Sequence, residues 1–528
     1  MSAAEEAADA LWRPRANPWL ISVVVTLAAF MEILDTTIVN VSLPYIAGSL
    51  SSSYDQATWV LTSYLVANGI VLPISGWLGR VIGRKRYFLG SIILFSVFSF
   101  LCGNASSLGE LVVFRLLQGF CGGGLQPNQQ AIVLDVMPPE QRGRAFGVVA
   151  VAVVFAPIIG PTLGGWITDS YSWRWVFFIN VPIGIFAFMM VNRMVEDPPW
   201  VLRRRAGEKH FDLPGLLLIA LAIGCTQIML DRGEDADWFS SPMIRHLAVI
   251  AALSAIGAIF WLTEAKHPIV NLAVFRDRNF SLGCVLVVGL FSVLYSSGVI
   301  IPQLAQVHLG YTALLAGLIM SPGALVVLLL IPFVTRVLMP YVQTRLIIAF
   351  GFLVLGFAFI YTSRVSPDLD FRTLIMMRLA QSAGLAFLFV PISTSAYISV
   401  PRELNNDASA LYVLIRNIAG SAAISVATAM ITSGTQANMV TLAPHLNPAN
   451  EAYRSTLAQV SAALAGLGHA AGAIPHEAMG WLYQTLNTQA AFLAYRNIFI
   501  DCAIISFAII PLAFLFGPMR VGAVRRGH

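Results

Sequence analysis

Long apolar stretches separated by short polar segments run through almost the whole chain. Each is long enough to cross a bilayer as a helix, because about 20 apolar residues span the hydrocarbon core. The fourteen stretches lie at residues 19–43, 56–78, 87–103, 108–134, 145–167, 175–195, 212–230, 243–263, 280–302, 313–335, 346–363, 372–397, 411–433 and 490–516. The pattern therefore predicts an all-α polytopic membrane protein with 14 transmembrane helices.

Two polar stretches interrupt this series and divide the chain. Residues 196–211 are polar and basic and follow the sixth apolar run, whereas residues 434–488 form the longest polar stretch and precede the last run. Within the second stretch, residues 452–466 could form a helix, which favours a small structured cap over an extended linker. The predicted organisation is a tail at 1–18, a six-helix bundle at 19–200, two additional linking helices at 201–270, a second six-helix bundle at 271–516 that includes the loop 434–488, and a tail at 517–528.

An internal repeat supports the division into two bundles. Arg115 and Gln118 in the fourth run are matched by Arg378 and Gln381 in the twelfth, and each pair is followed by glycines and then by a proline-containing segment, at 138–140 and at 401–403. Both landmarks recur at one offset of 263 residues (378 − 115 and 401 − 138). Because eight runs separate the copies, both cross the membrane in the same direction, as in a parallel repeat of two halves.

Composition agrees with a membrane protein and leaves no room for a separate catalytic domain. The chain is 57% hydrophobic and only 11% charged, against about 25% charged residues in soluble domains. The five cysteines lie in or beside apolar runs without CxxC spacing, so neither a disulfide framework nor a zinc site is expected. We expect no metal, no cofactor and no enzymatic activity, because the sequence has no Walker motif and no nucleophile constellation.

Basic residues mark the predicted sides of the membrane. Most lie in alternate connections, starting with Arg13 and Arg15 in the N-terminal tail and including Arg84, Lys85 and Arg86. Since Lys and Arg in short loops face the cytoplasm, both termini are predicted to be cytoplasmic. The formal charge of +5 is thereby explained without nucleic acid as a partner. The N-terminal segment lacks the cleavage site of a secretory signal.

Three motifs resemble those of the major facilitator superfamily. Residues 76–86 (GWLGRVIGRKR) resemble its loop between the second and third spans, residues 111–119 (LVVFRLLQG) its fourth-span motif, and residues 156–165 (APIIGPTLGG) its fifth-span antiporter motif. Further segments are similar to the fourteen-span drug:proton antiporters of the EmrB-like type. They are residues 34–40 (LDTTIVN), 173–184 (WRWVFFINVPIG), 227–233 (QIMLDRG), 237–239 (DWF) and 278–280 (RNF).

The resemblance implies a major facilitator fold of two six-helix bundles in parallel repeat plus two extra central helices. It also assigns roles to residues. The implied antiporter motif comprises Ala156, Pro157, Gly160, Pro161, Gly164 and Gly165, and the implied cytoplasmic gating loop comprises Gly76, Gly83, Arg84 and Lys85. The family usually carries an Asp where this chain has Arg80, so a lock built on that Asp is not expected.

Glu32 and Asp35 are unusual because an acid inside an apolar span is costly unless it is paired, hydrated or protonated. Three residues apart, they share one helix face. A membrane carboxyl that is charged in one state and neutral in another can carry a proton, and the resemblance implies this role for Asp35, tuned by Arg115. The spacing makes Glu32 a second candidate for proton coupling or for binding a cationic substrate. The alternatives are a helix cap or structural ion pair for Asp35 and Arg115, and a water-lined position for Glu32. Candidate substrate-cavity residues are Asn40, Tyr64, Asn68, Gln126, Gln129, Arg416 and Asn417.

The resemblance thus implies a proton-coupled antiporter that exports lipophilic or amphiphilic drugs across the bacterial inner membrane. It also implies a periplasmic adaptor and an outer-membrane channel as partners in a tripartite pump, besides membrane lipids. Two alternatives stay open: an exporter of a specific metabolite or fatty acid, and a non-transporting sensor of the same fold.

Overall fold

A computed structural model describes residues 12–201, 212–266, 268–401, 404–467, 469–470 and 472–516. The described chain is helical, with no strand among these residues. Most of the predicted N-terminal tail, the C-terminal tail 517–528, residues 202–211 of the basic segment 196–211 and the landmark residues Arg402 and Glu403 lie outside the described residues.

Among the described residues, thirteen helices have the length and apolar composition of membrane spans, and the bent fifth helix makes fourteen when its two parts are counted as one span, in agreement with the prediction. They are α1 Pro18–Ser49, α2 Trp59–Ile82, α3 Arg84–Gly103, α4 Leu108–Val136, α5 Arg142–Ser170, α6 Trp175–Met194, α7 Leu213–Arg232, α8 Pro242–Glu264, α9 Arg278–His308, α10 Leu314–Tyr341, α11 Thr344–Thr362, α12 Phe371–Tyr397, α13 Asn405–His445 and α14 Ile474–Ala513. A shorter helix, Glu451–Gly466, lies between α13 and α14, as the pattern at 452–466 predicts.

The contacts between helices repeat in the two bundles. In the first bundle α1 packs on α5, α2 on α4 and α3 on α6, and in the second bundle α9 packs on α13, α10 on α12 and α11 on α14. The two extra helices α7 and α8 pack on each other, and α7 also contacts α2 and α13. The bundles meet where α5 packs on α10 and α2 packs on α13. The fold class predicted from the sequence is therefore confirmed.

The segment predicted as the loop 434–488 is helical at both ends. Helix α13 continues to His445 and α14 already begins at Ile474, so the connection between them is much shorter than expected. An α-helix satisfies its backbone hydrogen bonds internally and can continue into water with polar side chains. Hydropathy detects only the apolar part of such a helix, which explains the difference.

Proline bends the fifth span. Helix α5 carries Pro157 and Pro161, and its two parts, Arg142–Pro157 and Ile159–Ser170, meet at an angle of 43°. A proline inside a helix removes one backbone donor and clashes with the preceding turn, so a bend is expected at this position.

Candidate functional site

A central cavity of about 260 Å³ lies between the two bundles. Helices of both bundles and the extra helix α7 line it. Most of the lining is apolar, and its polar side chains include Glu32, Asn40, Tyr64, Asn68, Arg115, Gln126, Gln227, Arg378, Asn417 and Ser421. A mainly apolar pocket with a few convergent polar groups is typical of a small-molecule site.

Glu32 is a buried acid on the wall of this cavity, with an exposed fraction of 2%. Its Oε1 accepts hydrogen bonds from Asn68 Nδ2 (2.9 Å) and from the Tyr64 hydroxyl (3.3 Å). Its Oε2 accepts from the side-chain amide of Gln126. All these donors are neutral, so each stabilises the carboxylate without supplying a compensating charge.

Gln126 extends this network to the other bundle. Its amide nitrogen donates to Glu32 on α1, and its amide oxygen accepts from Arg416 on α13. The Arg416 guanidinium is buried and stacks over the Phe291 ring, 5.1 Å from the ring centroid. Glu32 and Arg416 therefore interact through one glutamine side chain that lies between the bundles.

Asp35 has a different environment, although it lies one turn further along α1. It is fully buried, and its Oδ2 accepts from Arg115 Nη1 at 2.5 Å. Its Oδ1 accepts from Asn180 Nδ2 (2.6 Å) and Gln118 Nε2 (3.2 Å). All three partners belong to the first bundle, and Asp35 does not line the cavity. The helix around it is unbroken, so Asp35 is not a helix cap.

Arg115 has several partners within the first bundle. Besides its ion pair with Asp35, its Nε donates to the Val60 carbonyl (3.2 Å) and its Nη1 to Gln118 Oε1 (2.9 Å). Its guanidinium carbon lies 4.1 Å from the centroid of the Tyr64 ring. The predicted pairing of Arg115 with the first-span acid is thus present in the structure.

The predicted cavity residues separate into two groups. Asn40, Tyr64, Asn68, Gln126 and Asn417 line the cavity. Arg416 does not line it but lies behind Gln126. Gln129 is fully buried inside the first bundle, where its Nε2 donates to Thr26 Oγ1 at 3.0 Å, so it is a packing residue in this conformation.

The residues of the antiporter motif place α5 directly against α1. A Cβ atom on Gly160 would lie 2.1 Å from Thr37 Oγ1, and one on Gly164 would lie 2.6 Å from the Ile38 carbonyl oxygen. Pro157 and Pro161 line the cavity. These glycines allow the close approach of the helix that carries both acids.

We expect Gly164→Ala to lower the free energy of unfolding by about 1–3 kcal/mol, because the added methyl group meets the α1 backbone. Gly165→Ala is the matched control, since its Cβ would have only Val41 Cγ1 nearby, at 3.7 Å. Thermal unfolding of the purified variants measures both effects. Equal unfolding temperatures for the two variants would contradict the packing argument.

An ion pair joins the bundles at the α2–α3 end of the cavity. Arg80 on α2 pairs with Asp407 at the start of α13, and both side chains are buried. At the same end, Asn405 Nδ2 donates to Asp135 Oδ1 (3.3 Å). A lock built on the family Asp is not expected, because Arg80 occupies that position, but Arg80 itself forms an ion pair between the bundles.

Three residues of the predicted gating loop, Gly83, Arg84 and Lys85, lie against their own bundle. Gly83 has a φ of +93°, which L side chains rarely adopt. The Lys85 backbone N–H donates to Asp197 Oδ1 (2.8 Å), and its Nζ donates to the Asn192 carbonyl (2.7 Å). Arg84 pairs with Asp135 on α4. Of the predicted loop residues, Gly76 is the one beside α13, where a Cβ would lie 3.0 Å from Asp407 Oδ1.

Several site residues were not identified from the sequence. Gln118 and Asn180 complete the shell around Asp35, Asp407 pairs with Arg80, and Gln227 brings α7 into the cavity wall. Gln118, Asn180 and Gln227 lie in the motifs at 111–119, 173–184 and 227–233, and membership of these motifs is the sequence feature that could have identified them. Asp407 was detectable only as an acid near the predicted start of the thirteenth span.

Comparison with known proteins gives matches over nearly the whole chain. The Major Facilitator Superfamily family description matches residues 25–424. The multidrug export protein EmrB of Escherichia coli K12 is 35% identical over 94% of this chain and 95% of its own. The fatty acid resistance protein FarB of Neisseria gonorrhoeae is 34% identical over 93% of this chain and 94% of its own. The solved structure of the proton:xylose symporter XylE is similar in fold, with a TM-score of 0.55, 14% identity and coverage of 94% of this chain and 96% of that one.

Proposed function

The chain belongs to the major facilitator superfamily, and from this premise we propose that it is a proton-coupled exporter of lipophilic or amphiphilic drugs. It is a multi-pass inner-membrane protein of a transporter family and not of an enzyme family. The observation that carries the proposal is the cavity between the bundles, which has a buried acid, Glu32, on one wall and a mainly apolar lining. The relationship to the multidrug export protein EmrB supports drugs as the substrate class.

The proposed proton sites are Asp35 and Glu32 on α1. Glu32 faces the cavity and has neutral partners, so a proton can neutralise it without breaking an ion pair. Asp35 is paired with Arg115, and a proton on Asp35 would leave that guanidinium without its counter-charge. We therefore assign Asp35 to a step in which its contact with Arg115 opens, and Glu32 to exchange with the cavity.

The proposed transport cycle alternates between two arrangements of the bundles. With both termini in the cytoplasm, the α2–α3 end is the cytoplasmic end, and the Arg80–Asp407 pair closes it in this conformation. Protonation changes the charge balance in the network of Glu32, Gln126 and Arg416, which connects the bundles. A ligand or proton shifts the equilibrium only by its different affinity for the two arrangements, so this inter-bundle network is a suitable place for coupling.

We also propose a periplasmic adaptor, and through it an outer-membrane channel, as partners. The end of α13, the start of α14 and the segment between them are on the predicted periplasmic side and present large apolar side chains. Val440 is 76% exposed, Leu467 77% and Tyr483 62%. Helix Glu451–Gly466 packs against α14 but has no buried residue, so most of its surface is exposed.

The test of the proposed function is uptake of radiolabelled chloramphenicol into inverted membrane vesicles with an acidic lumen. We expect accumulation against its gradient and its loss when nigericin collapses the pH gradient, because outward movement of protons drives the drug inward in this orientation. Vesicles without the protein are the control. Accumulation that persists after nigericin would refute proton coupling, and no accumulation of any drug would support the non-transporting alternative.

A second candidate function is export of a fatty acid or another specific metabolite. It is favoured by the relationship to the fatty acid resistance protein FarB over nearly the full length. A competition screen with the same vesicles distinguishes the candidates. A multidrug exporter is inhibited by many unrelated lipophilic compounds, and a specific exporter by one chemical class.

A further inference from the structure

Each bundle has a buried arginine, and the two arginines have corresponding hydrogen-bond partners. In the first bundle, Arg115 Nη1 donates to Asp35 Oδ2 on α1 and to Gln118 Oε1 one turn further along α4. In the second bundle, Arg378 Nη1 donates to Ser297 Oγ on α9 (3.3 Å) and to the repeat-related glutamine on α12 (3.3 Å). Ser297 thus accepts a hydrogen bond from Arg378, as Asp35 does from Arg115.

The two arginines differ in charge compensation. Arg115 has a carboxylate partner, whereas no carboxylate of the described residues forms an ion pair with Arg378. Arg378 is only 1% exposed, and its Nε has no hydrogen-bond partner among the described residues. A guanidinium is permanently charged, so burial without an anion is unfavourable and the site favours an anionic ligand.

The cavity that this uncompensated charge lines contains open space. Arg378 and Gly298 both line the central cavity, and a Cβ atom on Gly298 would have no other atom within 4 Å. Leu294, Val299 and Met320 line the cavity as well, so apolar side chains are available near the charged group. The site therefore combines a positive charge, free volume and an apolar surface.

We propose that Arg378 binds the carboxylate of an anionic amphiphilic substrate, in the position that an aspartate occupies in the first bundle. Ser297 and Gln381 hold the guanidinium, and the apolar wall accommodates the hydrocarbon part of the substrate. The first bundle supports this proposal, because the corresponding arginine and glutamine there, Arg115 and Gln118, both contact a carboxylate, that of Asp35. This inference rests on the proposed function and narrows its substrate class.

The test introduces a carboxylate beside Arg378 by substitution, so that it competes with the carboxylate of a bound substrate. Ser297→Asp places an acid beside Arg378, and Ser297→Asn is the control of equal size without charge. Binding of radiolabelled dodecanoate and of dodecyltrimethylammonium is measured on the purified full chain. We expect the ratio of dodecanoate to dodecyltrimethylammonium affinity to fall at least tenfold in Ser297→Asp relative to Ser297→Asn. Arg378→Gln is expected to weaken dodecanoate binding by at least tenfold as well, which keeps the test informative if Ser297→Asp does not fold.

Equal affinity ratios in folded Ser297→Asp and Ser297→Asn, or unchanged dodecanoate binding in Arg378→Gln, would overturn the inference. Displacement of dodecanoate by added phosphatidylglycerol would assign the site to a lipid phosphate and would also overturn it. Wild-type protein that takes up chloramphenicol in the vesicle assay but does not bind dodecanoate would refute the anion site alone. Dodecanoate binding that follows the expected variant pattern, without proton-driven uptake of any compound, would support the site and refute the proposed transport function.

Discussion

Asp35→Asn is expected to abolish proton-driven drug uptake and to lower the free energy of unfolding by about 3–5 kcal/mol, as is typical when one partner of a buried ion pair is removed. The loss of stability follows because Arg115 remains buried and charged, with its main counter-charge gone. The loss of uptake follows because the amide cannot bind and release a proton. Thermal unfolding and uptake into inverted vesicles measure the two effects separately.

A double variant separates folding from proton coupling. Asp35→Asn combined with Arg115→Gln removes both charges, and replacing both partners of a buried pair is far less costly than removing one. We expect this variant to recover most of the lost stability and still to lack proton-driven uptake. Recovery of uptake together with stability would mean that Asp35 is structural only.

Glu32→Gln is the comparison within the same helix. The carboxylate of Glu32 accepts hydrogen bonds from neutral donors and forms no direct ion pair among the described residues, so we expect the amide variant to cost only about 1 kcal/mol for a disturbed hydrogen bond. The amide of Glu32→Gln cannot gain or lose a proton, so the charge at this position of the cavity wall is fixed at zero. Normal proton-driven uptake by Glu32→Gln would remove this residue from the coupling mechanism and leave Asp35 as its only candidate on α1.

The sequence is sufficient to predict the spans because their signal is local. A run of about 20 apolar residues is visible without knowledge of its neighbours. The repeat that relates Arg115 to Arg378 is also visible in the sequence alone, because both of its landmarks recur at one offset. The difference between the environments of the two arginines is not visible in the sequence, because it depends on Asp35 and Ser297, which lie on other helices.

The different environments of the two acids also depend on distant residues. Helical spacing places Glu32 and Asp35 on one face and suggests that they act as one pair. In the fold, Asn180 lies 145 positions from Asp35, and Arg416 lies 290 positions from Gln126, yet these contacts decide which acid is locked and which faces the cavity. Pairing across such separations cannot be obtained from the local pattern of one sequence.

Asp407→Asn is expected to open the α2–α3 end of the cavity. Loss of one partner of a buried ion pair destabilises the closed arrangement by about 3–5 kcal/mol, and each 1.4 kcal/mol is about a tenfold change in an equilibrium constant. We therefore expect the population of the closed arrangement to fall at least about a hundredfold relative to the open one. Spin labels at Arg86 and Tyr341, both exposed residues, report the distance between the bundles at this end in a chain whose native cysteines are replaced.

Two controls test whether the charge pair itself closes this end. The exchanged variant, Arg80→Asp with Asp407→Arg, restores opposite charges and is expected to restore the short label distance. Asp169→Asn makes the same substitution within the first bundle, where Asp169 accepts from the Tyr45 hydroxyl, and is expected to leave the distance unchanged. If Asp407→Asn also keeps the short distance, the seal must come from neutral contacts. The parallel stacking of Phe146 on Tyr397, with ring centroids 5.6 Å apart, and the hydrogen bond from the Tyr397 hydroxyl to Gln130 would then hold the bundles together.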